Sequence, residues 1–126
     1  MAGLTLDSGA LIAAERGDRR FWALWERAEQ RDADVTVPAN VLAQVYRGSR
    51  SAIVARVVRA CVVEPVDEAL ARRIGEICGR SGVDDVVDVS VVVGAAARRD
   101  HVVTTDVRDL TRIAAHVRGV AGFIAL

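Results

Sequence analysis

The sequence predicts an α/β domain with three α/β/α layers around a short-stranded, mainly parallel sheet. Three observations carry this expectation. The strand-like runs 4–6, 35–37, 62–64 and 102–104 are short and apolar on both faces, as strands covered on two sides must be. Segments with helical periodicity separate them, as parallel pairing requires. A chain of 126 residues also suffices for one buried core and not for two, so a single domain over 1–126 is expected.

The elements follow in order. Leu4-Thr5-Leu6 reads as a strand that stops at Asp7-Ser8-Gly9, and 10–15 as a short helix closed by Arg16-Gly17-Asp18. Over 19–31, Phe21, Leu24, Trp25 and Ala28 fall on one helical face. A strand at 35–37 leads into Pro38, which fits the first turn of a helix running to about Arg47. A helix over 51–60, a strand over 62–64 and a helix capped by Asp67 and ending near Gly79 come next. The Val-rich stretch 86–99 could support a strand, because β-branched side chains suit one. Its length and its Gly-Ala-Ala-Ala-Arg-Arg ending favour a helix, with Asp85 as N-cap. A strand at 102–104, a helix over 106–115 and a strand at 120–124 complete the chain.

Composition narrows the class. At 52% hydrophobic the chain is not disordered, yet no apolar run reaches the roughly 20 residues of a membrane span. The start has no basic segment and no small-residue cleavage site, so a cytoplasmic protein is expected. Cys61 and Cys78 lie among apolar residues without a CxxC or Cys/His partner and read as buried, reduced thiols. The 17 basic and 17 acidic residues balance, and every basic one is Arg. Any side-chain cation that meets a phosphate here is therefore a guanidinium.

Parallel sheets bind ligands at the carboxyl ends of their strands. Asp7 follows the first strand and Thr104-Thr105-Asp106 closes a later one. If those strands are neighbours, the two acids share an edge. Asp88, in the first turn of the Val-rich helix, and Asp85 before it are further acids beside apolar sequence. Converging carboxylates repel unless a cation holds them. With no Cys or His among them, a hard oxygen-seeking ion such as Mg²⁺ or Mn²⁺ fits. The same acids also suit a plainer role as helix caps, and the two roles are compatible.

Four stretches together carry a resemblance. They are Leu4-Thr5-Leu6-Asp7-Ser8, Val37-Pro38-Ala39-Asn40-Val41-Leu42-Ala43-Gln44, Asp84-Asp85-Val86-Val87-Asp88-Val89, and Val102-Val103-Thr104-Thr105-Asp106. In order and spacing they resemble the PIN-domain family, specifically the VapC-type toxins of bacterial toxin–antitoxin pairs, along essentially the whole chain. The resemblance implies a PIN-like fold, Mg²⁺-dependent RNA cleavage, a cognate antitoxin partner and a homodimer. Residue by residue it makes Asp7, Asp88 and Asp106 the metal acids and Thr104 the supporting hydroxyl, with Asp85 or Asp106 offsetting missing charge. The family's usual second acid, a Glu, is here Gln44. That side chain keeps a carbonyl oxygen for a metal-bound water or a weak metal edge, but it loses the charge and cannot act as a general base. A catalytically impaired PIN module serving as a binding partner is therefore the alternative.

Other acidic α/β proteins fit less well. A receiver domain needs a Lys, and a haloacid-dehalogenase-type phosphatase needs an Asp at the position of Gly9. No Gly-rich turn after the first strand supports a dinucleotide fold. Phe21, Trp22 and Trp25 share one helix side, as core or as a groove for an antitoxin helix. Arg47, Arg50 and Arg108 stand near strand ends and are candidates for phosphate contact. His101 and His116 read as surface or loop residues, Asp84 as solvated, and Asp109 as an ordinary first-turn acid.

Overall fold

Valine and leucine on both faces of very short strands leave a sheet no option but burial between helices. A computed structural model, which describes residues 2–126, has this arrangement; Met1, the first residue of the expected domain, lies outside the described residues. Five strands form one wholly parallel sheet: β1 (Leu4–Leu6), β2 (Val35–Pro38), β3 (Val62–Glu64), β4 (His101–Thr104) and β5 (Gly122–Ala125). Their spatial order is β3-β2-β1-β4-β5. The chain thus starts at the centre, builds outward to β3, then crosses back to place β4 on the other side of β1.

Seven α-helices flank the sheet: α1 (Ser8–Glu15), α2 (Arg19–Gln30), α3 (Ala39–Val45), α4 (Ala52–Arg59), α5 (Glu68–Ser81), α6 (Val86–Arg98) and α7 (Val107–Ala114). Helix α1 meets α2, α3 and α4, whereas α6 meets α5 and α7 and lies on β1, β2 and β4; α3 meets both α1 and α6. The helix expected in the Val-rich stretch is α6, buried through Val89, Val91, Val92, Val93, Ala95 and Ala96.

Several boundaries differ from the sequence reading, each for a local reason. Helix α1 begins at Ser8, two residues early, because Asp7 accepts from the Ala10 N–H and lets Gly9 join the first turn. Pro38 is not in the first turn of α3. It ends β2, paired with Glu64, and its extended backbone makes it the residue before the helix. Helix α3 stops at Val45, short of Arg47, and Gly48 turns the chain with φ +69° into a 3₁₀ turn over Gly48–Ser51. Helix α5 runs past Gly79 to Gly82, whose left-handed backbone (φ +73°) closes it. Strand β5 lies later than expected, and Asp106 caps α7 from outside. His101 is a half-buried strand residue; His116 is exposed. Both cysteines are free but only half-buried, and burial pushes the Cys61 thiol up to about 11.

A polar network crosses the core where the sequence suggested none. Arg98 donates from Nε to Asp100 Oδ2 (2.9 Å), from Nη1 to Glu64 Oε2 (2.6 Å) and from Nη2 to Thr5 Oγ1 (3.0 Å). The Thr5 hydroxyl in turn donates to Asp100 Oδ2 (2.8 Å). One guanidinium thereby ties α6 to β1, β3 and the start of β4. Gly94 makes room for it, since a Cβ there would lie 2.3 Å from Glu64 Oε1. No helix among the described residues is long and apolar enough to cross a membrane.

Candidate functional site

The strands on which the expectation depended are neighbours. β1 pairs with β4 in the register Leu6↔Val103, and the Asp7 N–H bonds Val103 O at 3.2 Å. This is where the strand order reverses direction, the crevice in which doubly wound sheets bind ligands.

Three helices begin at this edge, and each is capped by an acid. Asp7 Oδ1 accepts from Ala10 N (2.8 Å) on α1, Asp85 Oδ1 from Asp88 N (3.0 Å) on α6, and Asp106 Oδ1 from Asp109 N (3.4 Å) on α7. The capping N–H groups and the helix dipoles favour negative charge at all three. A cap occupies one carboxylate oxygen and leaves the other for a second partner. Asp88 caps nothing; it rides in the first turn of α6, half-buried.

Thr104 ties the edge together. It is fully buried at the end of β4, accepts from the Asp106 N–H at 2.8 Å and hydrogen-bonds the Asp7 carboxylate. Beyond it, Gly9 lies so close to the β4–α7 turn that a Cβ would sit 2.1 Å from Thr105 Oγ1. A larger residue there would have to displace the Thr105 side chain, next to Asp106.

The electrostatics are those of anions held together without a counter-ion. Asp7 is 6% exposed, and burial pushes its pKa above the usual carboxylate range, against hydrogen bonds from Thr104, Ala10 and Gly9. Burial, then the charges of Asp85, Asp7, Asp106 and Asp109, push Asp88 up to about 6. For both acids the charges among the leading influences are those of other carboxylates. Asp109 is raised as well, first by its hydrogen bond with Asp106.

The structure thus brings Asp7, Asp85, Asp88 and Asp106 within electrostatic reach of one another. It does not press them into ligand contact. Among the described residues no group of three or more His, Cys, Asp or Glu is gathered tightly enough to hold a metal ion. The donor set itself, all oxygen with surplus charge, fits a hard divalent cation.

Gln44 is exposed on α3, and its Oε1 accepts from the Ser8 hydroxyl, next to Asp7 in the chain. Phe21 is buried, while Trp22 and Trp25 are half-buried against it, with the Trp22 ring N–H on Ala14 O (3.2 Å). The aromatic side is therefore mainly core, with a groove of about 190 Å³ at its Trp25 edge. Arg108 is exposed, with Arg47 and Arg50.

A pH dependence follows from Asp88. Its folded-state pKa of about 6 exceeds its ordinary value, so between pH 4 and 6 the folded state keeps a proton that the unfolded chain has released. Stability falls as pH rises through that window and the penalty is complete above it. In chelator at pH 8, Asp88→Asn should raise stability by on the order of 1 kcal/mol, discounted for its half-exposure, or roughly 4 °C. Thermal melts should show the gain vanishing towards pH 4. A lower midpoint at pH 8 would mean that the carboxylate stabilises the fold.

No protein-family model matches the chain, and no curated protein matches it. Among solved structures it is similar to the crystal structure of PAE2754 from Pyrobaculum aerophilum. The TM-score is 0.60 and the identity 16%, over 96% of this chain and 89% of that one. At such identity the likeness concerns the fold, a helix-flanked parallel sheet, and carries no function with it.

Proposed function

We propose that this chain is a divalent-cation-dependent endoribonuclease of the PIN-domain type, acting as the toxin of a toxin–antitoxin pair. The observation that supports it most is the grouping of Asp7, Asp85, Asp88 and Asp106 at the sheet's switch point, where the acids raise one another's pKa. On this reading Asp7 and Asp88 hold Mg²⁺ or Mn²⁺, assisted by Asp106 and Asp85. Such an ion, when bound, polarises a phosphodiester and makes a nucleophile of water at neutral pH. The chain's own groups do the rest. Thr104 fixes the Asp7 carboxylate, the α1 and α7 turns hold Asp7 and Asp106 in place, and exposed arginines attract the RNA backbone. The same reading assigns a cytoplasmic setting, a cognate antitoxin and a homodimer.

A second reading, a binding module that no longer cuts, draws on Gln44, whose amide brings no charge to the pocket. Incubating the purified chain with single-stranded RNA and MgCl₂ separates the two. A nuclease gives products with 3′-hydroxyl and 5′-phosphate ends, and EDTA stops it. A folded protein that cuts no RNA under any divalent ion supports the binding module instead.

A further inference from the structure

Ser8, one residue beyond Asp7, opens a groove of about 450 Å³ that it shares with Ile12, Glu15, Gln44, Val45 and Arg47. A second depression of about 310 Å³ continues it along Glu15, Val45 and Arg47 to Arg50 and Ser51. The two form one path leading away from the aspartates. Arg47 is held in its wall, since Nη1 donates to Ala43 O (3.1 Å) and Tyr46 O (2.7 Å) at the end of α3.

Gln44 lines the groove beside Ser8, the residue that follows Asp7. Its carbonyl oxygen already accepts from Ser8, which turns the two N–H groups of Nε2 to other partners. An amide so oriented donates hydrogen bonds and offers a cation little. A carboxylate at the same position would set a second negative charge beside Glu15 and repel a phosphate. With Gln44, Arg47 and Arg50 the path carries three donor side chains against one acid, which suits an extended polyanion.

We propose that Gln44, turned by Ser8, binds the RNA strand through its amide N–H groups at the mouth of the aspartate pocket and is not a ligand of the cation. The inference rests on the ribonuclease reading above. Position 44 is exposed on a helix, so substitutions there leave the fold intact.

The test measures binding without turnover. Fluorescence anisotropy of a labelled, mixed-sequence single-stranded RNA is recorded in EDTA for the native chain, Gln44→Ala, Gln44→Glu and Ser8→Ala. Mn²⁺ affinity is measured separately by calorimetry. Gln44→Ala should bind RNA about 5-fold more weakly, the loss of a hydrogen bond to a charged group, with Mn²⁺ affinity kept within about twofold. Gln44→Glu should lose about 20-fold on RNA through added repulsion while gaining Mn²⁺ affinity. Ser8→Ala should fall between the native chain and Gln44→Ala. Native RNA affinity in Gln44→Ala, or a loss of Mn²⁺ affinity beyond about 5-fold, would overturn the inference while leaving the nuclease reading standing. A native chain that neither binds nor cuts RNA would sink the nuclease reading and this inference with it.

Discussion

Asp7→Asn should lower RNA cleavage by about 10³-fold, the several kcal/mol that a well-held divalent ion contributes to the transition state. Asparagine is nearly the same size and caps a helix as well as aspartate, so the Ala10 N–H keeps its partner and α1 keeps its start. The variant also removes a charge that burial disfavours. Its thermal midpoint in chelator should therefore equal or exceed that of the native chain. Lost activity with undiminished stability is the combined signature of a residue kept for chemistry. Cleavage within about 10-fold of native would remove Asp7 from the catalytic machinery.

Arg98→Met should be the most damaging single change to stability. It leaves Asp100, 6% exposed, and Glu64, 23% exposed, without their cation. Breaking a buried ion pair by deleting one partner costs about 3 kcal/mol or more, roughly 12 °C for a chain of this length. Urea unfolding at pH 7 measures it. Arg98→Lys should recover only part, because a single ammonium cannot replace the guanidinium fork that reaches Asp100, Glu64 and Thr5 together. A loss below about 1 kcal/mol for Arg98→Met would place the network among ordinary surface ion pairs.

The contrast between these two sites marks what the sequence discloses. Asp7 and Asp106 are legible because each follows an apolar strand at a helix start, and Asp85 because it precedes the Val-rich helix. Their meeting depends on β4 lying beside β1, which the sequence leaves open. The Arg98 network has no such clear sign. Two of its three partners stand 34 and 93 residues away along the chain, and Arg98 itself is one of a pair of arginines at the end of the Val-rich helix. Pro38 misleads for a related reason: its fixed φ suits both a strand end and a helix start, and pairing with β3 decides. The strand order itself is not written in any periodicity. The spacing of the carboxylates was beyond sequence too, since it is set by three helix starts and a strand end that meet only in the fold.

The position of β1 has a consequence for how this molecule comes into being. β1 occupies the middle of the sheet, and one of its two neighbours is β4, made almost a hundred residues later. Pairings this distant in sequence form late and slowly. During synthesis β1 has β2 on one side and nothing on the other, while Asp7 waits for α6 and for the turn after β4. A nascent chain therefore carries an unfinished aspartate cluster until β4 and the turn after it have been made.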